Sequence, residues 1–323
     1  MTSTSPAILF MGTPDFAVPS LQALLKASYN VVAVVSQPDR PFGRKRELQS
    51  PPVKTEAMKH GIKLLQPWKI RDPQIMHELQ QIKPELIITA AYGQFLPKQL
   101  LELPHLGCIN VHASILPRYR GGAPIQRAIM SGERTTGVTI MHMSERMDAG
   151  DIIASMSLNI PPEANAGDMF QQLSLAGAHL LLRTLPDIIS GQAPRFSQNE
   201  SEATFAPNLT RQDELLRWER PALDLFNQLR GLLPLPGGFT YWKQDIFKIW
   251  HALPPDPSET TSAAPGTVLS ISPNGLKIAT GRGVFIASFV QPSGKKVIPI
   301  AEFAKSGQLK VGERLGDVHG GWV

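Results

Sequence analysis

Cysteine is nearly missing from this sequence: Cys108 stands alone among 323 residues. One thiol can form neither an internal disulfide nor a thiolate metal cluster, which fits a reducing compartment and makes the cytoplasm the default location. Long apolar runs are missing as well. No stretch approaches the roughly 20 apolar residues that a bilayer-spanning helix needs, so no membrane partner is expected. The opening MTSTSPAILFMG passes from a short polar lead straight into an apolar run, without the basic region or small-residue cleavage site of a secretory signal. Nucleotide fingerprints are also lacking. Gly12 follows the first apolar run alone, with neither GxGxxG nor GxxxxGK(S/T), so NAD or ATP chemistry is not expected. Thr13 or Asp15 instead reads as a helix cap, with Pro14 in the first turn. His60, His77, His105 and His179 lack metal-ligand spacing, so no metal is expected.

What is present suits a folded protein: 42% hydrophobic and 18% charged residues, with a net charge of +5 that is relatively larger after residue 206. A mild basic surplus is weak support for a polyanionic partner, because many inert surfaces carry one. Over the first half, apolar runs alternate with helical patterns. Ile8 to Met11, Val31 to Ser36, Leu86 to Tyr92, Cys108 to His112 and Gly137 to Met143 read as buried strands. The alternation predicts an α/β fold with a doubly wound, mostly parallel sheet, whose ligand crevice lies outside the strands' carboxyl ends. Residues 190–208 are polar and aperiodic, as an interdomain linker would be. Beyond them, a helical stretch around Ala222 to Leu232 precedes several short strand-like pieces, which a small β-barrel would close. The expected division is a catalytic domain over residues 1–189, a linker over 190–208, a β-barrel domain over 209–316 and a tail over 317–323.

Residues 108 to 122 carry the densest chemistry. Side chains alternate along a strand, so Asn110 and His112 share one face near its end. From spacing alone the pair reads equally as a hydrogen-bonded structural pair or as part of a site. Asp148 lies in the loop after the next strand, which a parallel neighbour would bring beside His112; an ordinary turn aspartate is the alternative. Residues 37 to 46, QPDRPFGRKR, place Arg40, Arg44, Lys45 and Arg46 in a stretch whose prolines and glycine oppose regular structure. A basic loop or a merely solvated charge run both fit.

Asn110, His112, the Ser114-Ile115-Leu116-Pro117 run and Asp148, in that order, resemble the Asn, His, Ser-Leu-Leu-Pro and Asp pattern of folate-dependent formyltransferases. The resemblance implies a Rossmann-like domain in which Asn110, His112 and Asp148 are catalytic. It implies that Ser114, Ile115, Leu116 and Pro117 line a folate site, with 10-formyltetrahydrofolate as the formyl-donor co-substrate. An amine attacking a formyl carbon builds an oxyanion, for which an Asn amide and an imidazolium are suitable donors, and Asp148 would orient the ring. The opening Gly12 to Leu21, GTPDFAVPSL, is similar to that of family members that formylate methionyl-tRNA, which implies initiator methionyl-tRNA as acceptor. In those members the segment matching residues 37 to 46 enters the tRNA acceptor arm, implying contacts from Arg40, Arg44, Lys45 and Arg46, Arg44 foremost.

Trp218 to Ala222, Leu233 to Gly238 and Gln291 to Lys296 likewise resemble those enzymes' second domain. That implies an OB-like barrel meeting tRNA phosphates, consistent with Lys243, Lys248, Lys295 and Lys296. Trp218, Trp242 and Trp250 read as packing rather than base-stacking platforms. A monomer is expected. A related formyltransferase acting on an amino-sugar nucleotide would share Asn110, His112 and Asp148, and stands as the alternative. One departure is Ala149, where the family more often carries threonine after the catalytic aspartate.

Overall fold

The computed structural model describes residues 5–42 and 47–316. Arg44, Lys45, Arg46 and the tail 317–323 therefore lie outside the described residues. The chain divides into two compact units. One gathers Met1–Pro124, Thr135–Asn159 and Phe170–Pro207; the other gathers Ile125–Arg134, Ile160–Met169 and Asn208–Val323.

In chain order the elements run β1 (Ile8–Gly12), α1 (Val18–Lys26), β2 (Val31–Val35), β3 (Arg40–Phe42), β4 (Glu47–Gln49), α2 (Pro52–Lys59), β5 (Leu64–Leu65), α3 (Pro73–Ile82), β6 (Leu86–Ala90), α4 (Lys98–Leu101), β7 (Cys108–His112), α5 (Pro124–Met130), β8 (Thr135–His142), β9 (Ile152–Asn159) and α6 (Ala166–Ile189). Seven strands form one sheet in the order β5-β2-β1-β6-β7-β8-β9. β1 and β6 sit inside it and bury every residue, so ILFMG and LIITA are almost continuously apolar rather than alternating. The chain steps outward from β1 to β2 on one side and to β6 on the other. That reversal opens a crevice at the carboxyl ends of β1 and β6.

Thr13 ties this crevice together and does not cap a helix. Its hydroxyl donates to the Tyr92 carbonyl at 3.0 Å and accepts the Gln37 N–H at 3.4 Å, joining the ends of β1, β6 and β2. Pro14 occupies the cap position of the following 3-10 turn, Asp15–Ala17, without a side-chain cap. Asp15 is therefore not the expected cap either.

Pairing is parallel from β5 through β7 and antiparallel from β7 to β8 and from β8 to β9. The sheet is mostly parallel, but the route expected for Asp148 is corrected. A parallel neighbour requires a crossover helix lying on the sheet, and the helix between β7 and β8 groups with the other unit. Thus β8 returns antiparallel, with His112 opposite Thr139 and Ile109 opposite His142.

The segment after β2 is also more regular than its prolines suggest. β3 and β4 pair antiparallel, Pro41 opposite Leu48. A two-stranded ribbon leaves each strand one open side, where a missing proline N–H costs no ladder bond. Of residues 190–208, expected as an interdomain linker, those up to Pro207 group with the first unit: Phe196 and Ile152 exchange backbone hydrogen bonds of 2.9 and 2.8 Å, and Arg120 bridges to Phe205.

In the second unit α7 (Ala222–Gly231) is followed by β10 (Gly238–Trp242), β11 (Asp245–Leu253), β12 (Val268–Ser272), β13 (Gly275–Ala279), β14 (Val284–Gln291), β15 (Ile298–Pro299) and α8 (Ile300–Ala304). The sheet order is β10-β11-β14-β13-β12, with β15 beside β14. Residues 312–316 then stitch its two edges together. Gly312 N donates to Val268 O, Val268 N to Glu313 O and Gly316 N to Tyr241 O, each at 2.8 Å. Bridging both edge strands closes the sheet in the manner of a small barrel. Its interior is apolar, built around Phe247, Phe285, Ile249 and Leu276. Trp218 belongs to that interior, edge-on to Phe285 at 5.5 Å, with its indole N–H satisfied by Thr240 at 2.9 Å. Among the described residues no helix is long and apolar enough to cross a membrane.

Candidate active site

Asn110 and His112 occupy alternate positions at the carboxyl end of β7 and so project from the same face. Thr89, opposite Asn110 on β6, donates its hydroxyl to Asn110 Oδ1 at 2.7 Å. That bond sets the amide and directs its Nδ2 donors away from Thr89. His112 is only 5% exposed. Its Nε2 lies 3.0 Å from the Tyr119 carbonyl oxygen, which can only accept, so the ring hydrogen is assigned to Nε2. Nδ1 then faces Asp148, whose Oδ2 is 3.6 Å away.

Asp148 reaches this position because the 143–151 loop doubles back after β8. Gly121 N donates to Asp148 Oδ2 at 2.9 Å, and Gly121 has φ of 125° with no room for a Cβ, which would stand 2.6 Å from Ala206 O. Asp148 itself has φ of 48°, the left-handed region that a non-glycine residue occupies at a cost. Gly150 allows the loop to close on β8: a Cβ there would lie 1.9 Å from His142 O. The three sequence-derived candidates are thus brought together from β7 and one loop.

The Ser-Ile-Leu-Pro run adjoins them. Ser114 is fully buried and donates to Arg118 O at 2.6 Å, while the Thr139 hydroxyl donates to Ser114 O at 2.7 Å. Leu116 is buried, whereas Ile115 and Pro117 are partly open. Ser114 and Leu116 therefore hold the turn, leaving Ile115 and Pro117 as its accessible apolar members.

Arg40 begins β3, its guanidinium 3.4 Å from Gln37 Oε1. At the ribbon's base Asp39 accepts from Lys54 Nζ at 2.7 and 2.8 Å and from Gln66 at 2.9 Å. Those bonds, Lys54 first, hold the Asp39 carboxyl below its usual range. In the second unit, Lys248 is turned inward. Its ammonium donates to Pro236 O at 2.8 Å and sits over the Trp250 ring, which makes it a structural cation rather than a phosphate contact. Lys243, Lys295 and Lys296 differ: the first sits at a tight hairpin turn 4.9 Å from the Trp242 ring, and the other two are exposed.

Sequence reading missed a second layer. Arg120 is 1% exposed, and its guanidinium donates to Gln198 Oε1 at 3.1 and 2.8 Å and to Glu200 at 3.2 and 3.0 Å. Arg146 also reaches Glu200, at 2.6 Å. The hydrogen bonds from Arg120 and Arg146 pull the Glu200 carboxyl down to about 2. A carboxyl held below its ordinary value stabilises the fold above the unfolded group's range and loses that stabilisation as pH falls toward the folded value. Between roughly pH 4.5 and pH 2, Glu200→Gln should therefore lose less stability than the unmodified chain. Urea denaturation across that range tests this, and the difference should shrink at high salt because Glu200 is exposed. Identical pH slopes for both chains would remove the assignment.

Residues 6–185 match the family described as formyl transferase, and residues 208–308 match the formyl transferase C-terminal domain. The chain is 48% identical over 316 residues to a methionyl-tRNA formyltransferase of Halalkalibacterium halodurans, covering 97% of this chain and 99% of that protein. It is 46% identical over 310 residues to one of Bacillus subtilis, covering 96% and 97%. Among solved structures, a methionyl-tRNA formyltransferase from Clostridium thermocellum superposes with a TM-score of 0.54 at 15% identity, covering 77% of this chain and 93% of that one. HypX from Aquifex aeolicus, in complex with tetrahydrofolic acid, gives 0.63 at 19% identity, covering 93% and 47%. The two structural likenesses speak to fold alone. Both halves match formyl transferase segments, and the relatives align over nearly their whole length; the chain belongs to the methionyl-tRNA formyltransferases, the enzymes that place a formyl group on methionyl-tRNA.

Proposed function

We propose that the formyl group comes from 10-formyltetrahydrofolate, that the acceptor is initiator methionyl-tRNA, and that Asn110, His112 and Asp148 carry the transfer. The observation supporting this most directly is the convergence of an amide, an imidazole and a carboxylate at one end of β7, with Asp148 Oδ2 3.6 Å from His112 Nδ1. The methionyl amino nitrogen attacks the formyl carbon, the carbonyl oxygen becomes an oxyanion, and the carbon's bond to the folate nitrogen then breaks. Nδ2 of Asn110 donates to the oxyanion. The amine loses one proton and the leaving folate nitrogen gains one; His112, faced by Asp148, is placed to pass it. A distance of 3.6 Å is too long for a hydrogen bond, but such contacts often tighten when substrate binds. No covalent enzyme intermediate is needed. A folate-derived donor is supported by the family match and by the structural neighbour solved with tetrahydrofolic acid.

The basic stretch of residues 37–46, which carries Arg40, Arg44, Lys45 and Arg46, is assigned to the acceptor arm. Clustered cations suit a phosphate-dense stem, and phosphate contacts fix register without reading sequence. The test is formyl transfer from 10-formyltetrahydrofolate to charged initiator and charged elongator methionyl-tRNA, at two salt concentrations. Strong preference for the initiator and a steep salt dependence are expected. Equal rates on both tRNAs, or preferred transfer to an amino-sugar nucleotide, would overturn the reading.

A further inference from the structure

The segment after α6 contributes one side chain to the centre of the first unit. Gln198 uses its whole amide. Oε1 accepts twice from Arg120, and Nε2 donates to the backbone carbonyls of Asp148 at 2.8 Å and Gly150 at 2.7 Å. The orientation is unambiguous, because a guanidinium has only donors and therefore faces the amide oxygen, which leaves the NH2 group for the loop. Arg120 is in turn fixed by its own backbone: Arg120 N donates to Thr204 O at 2.8 Å and Ala206 N to Arg120 O at 2.7 Å. Glu200 balances its charge.

We infer that Gln198, aimed by buried Arg120, is a positioning residue for the formyl-transfer step: it clamps the Asp148 loop in the conformation that presents the carboxylate to His112. The inference rests on the reading of Asp148 as catalytic. Two observations support it beyond the hydrogen bonds. Asp148 holds a left-handed φ of 48°, a conformation that persists only where neighbours over-determine it, and Gln198 binds that residue's own carbonyl. Gly150, the clamp's other attachment, is closed against His142 O. Both ends of the aspartate's turn are thereby held from a third part of the chain. The hydrogen bonds of Gln198 go to Arg120 and to the backbone of the Asp148 loop, so it acts through the position of Asp148.

Gln198→Glu isolates this role. A glutamate still accepts from Arg120, and with added charge, but it sets an acceptor against two carbonyl oxygens that need donors. The expected result is a fall in kcat of about 10²-fold, the scale of a catalytic group displaced by roughly an ångström, with KM for tRNA and folate nearly unchanged. Gln198→Asn keeps the amide but is too short to reach both partners, and replaces the glutamate variant if that one folds poorly. Asp148→Ala and the Gln198→Glu/Asp148→Ala pair complete a cycle. If Gln198 acts through Asp148, the double variant is no slower than Asp148→Ala alone. Wild-type kcat in Gln198→Glu, or a further fall in the double variant, overturns the inference while leaving Asp148 catalytic. A near-wild-type Asp148→Ala would instead strike the reading on which it rests.

Discussion

Replacing His112 with alanine should lower kcat by about 10² to 10⁴-fold, the range supplied by a positioned proton-transfer group. The structure makes a second consequence separable from the first. His112 Nε2 donates to the Tyr119 carbonyl, so alanine also removes that hydrogen bond, at a cost of about 0.5 to 1.5 kcal/mol. His112→Gln divides the two effects: its amide can still donate to Tyr119 O, but it offers no titratable nitrogen toward Asp148. Thermal melting should find the glutamine variant close to the unmodified chain and the alanine variant below it. Rapid-quench formyl transfer should find both slow. A glutamine variant transferring formyl groups within a few-fold of the normal rate would remove the proton-handling role of His112.

The residues above were not equally visible in the sequence. β7 could be read to the residue, because CINVH is an apolar run whose alternate members are Asn110 and His112. Five of the six barrel strands, β10 to β14, were similarly legible as short runs between turn residues, whereas the two-residue β15 was not. Strand direction was not. Whether β8 runs with or against β7 depends on where the connection through α5 packs, which local pattern does not record. Pairing of Pro41 with Leu48 was hidden because proline is excluded from sheet interiors but not from a two-stranded ribbon.

Arg120 illustrates the deeper limit. In sequence it is one of several arginines after Pro117, and only its 1% exposure shows that its charge is internal. Gln198 lies in a polar, aperiodic stretch where nothing local distinguishes a solvated glutamine from one that holds two carbonyls. Periodicity reports which faces are buried, whereas these roles are set by partners 48 to 80 residues away. The composition that made residues 190–208 look like a linker is the same composition that lets Gln198 and Glu200 satisfy a buried guanidinium.

Asn110 should show the other large effect. Its amide is assigned to an oxyanion that exists only after nitrogen has begun to bond to carbon, so its contribution belongs in kcat and not in KM. Removing one such donor by Asn110→Ala is expected to lower kcat by about 10² to 10³-fold. Asn110→Asp sharpens the argument. The aspartate keeps Asn110's shape and its acceptance of the Thr89 hydroxyl, so the sheet beneath is undisturbed. Yet the atom replacing Nδ2 now carries negative charge toward a developing negative charge. If the amide acts by donation, the near-isosteric aspartate is at least as slow as the cavity-forming alanine, although it melts at the higher temperature. If the amide merely fills space, the order reverses and the aspartate is the faster enzyme. Kinetics of the two variants, with saturating tRNA and folate, therefore decide whether β7 presents a charge-stabilising group or only a well-packed one.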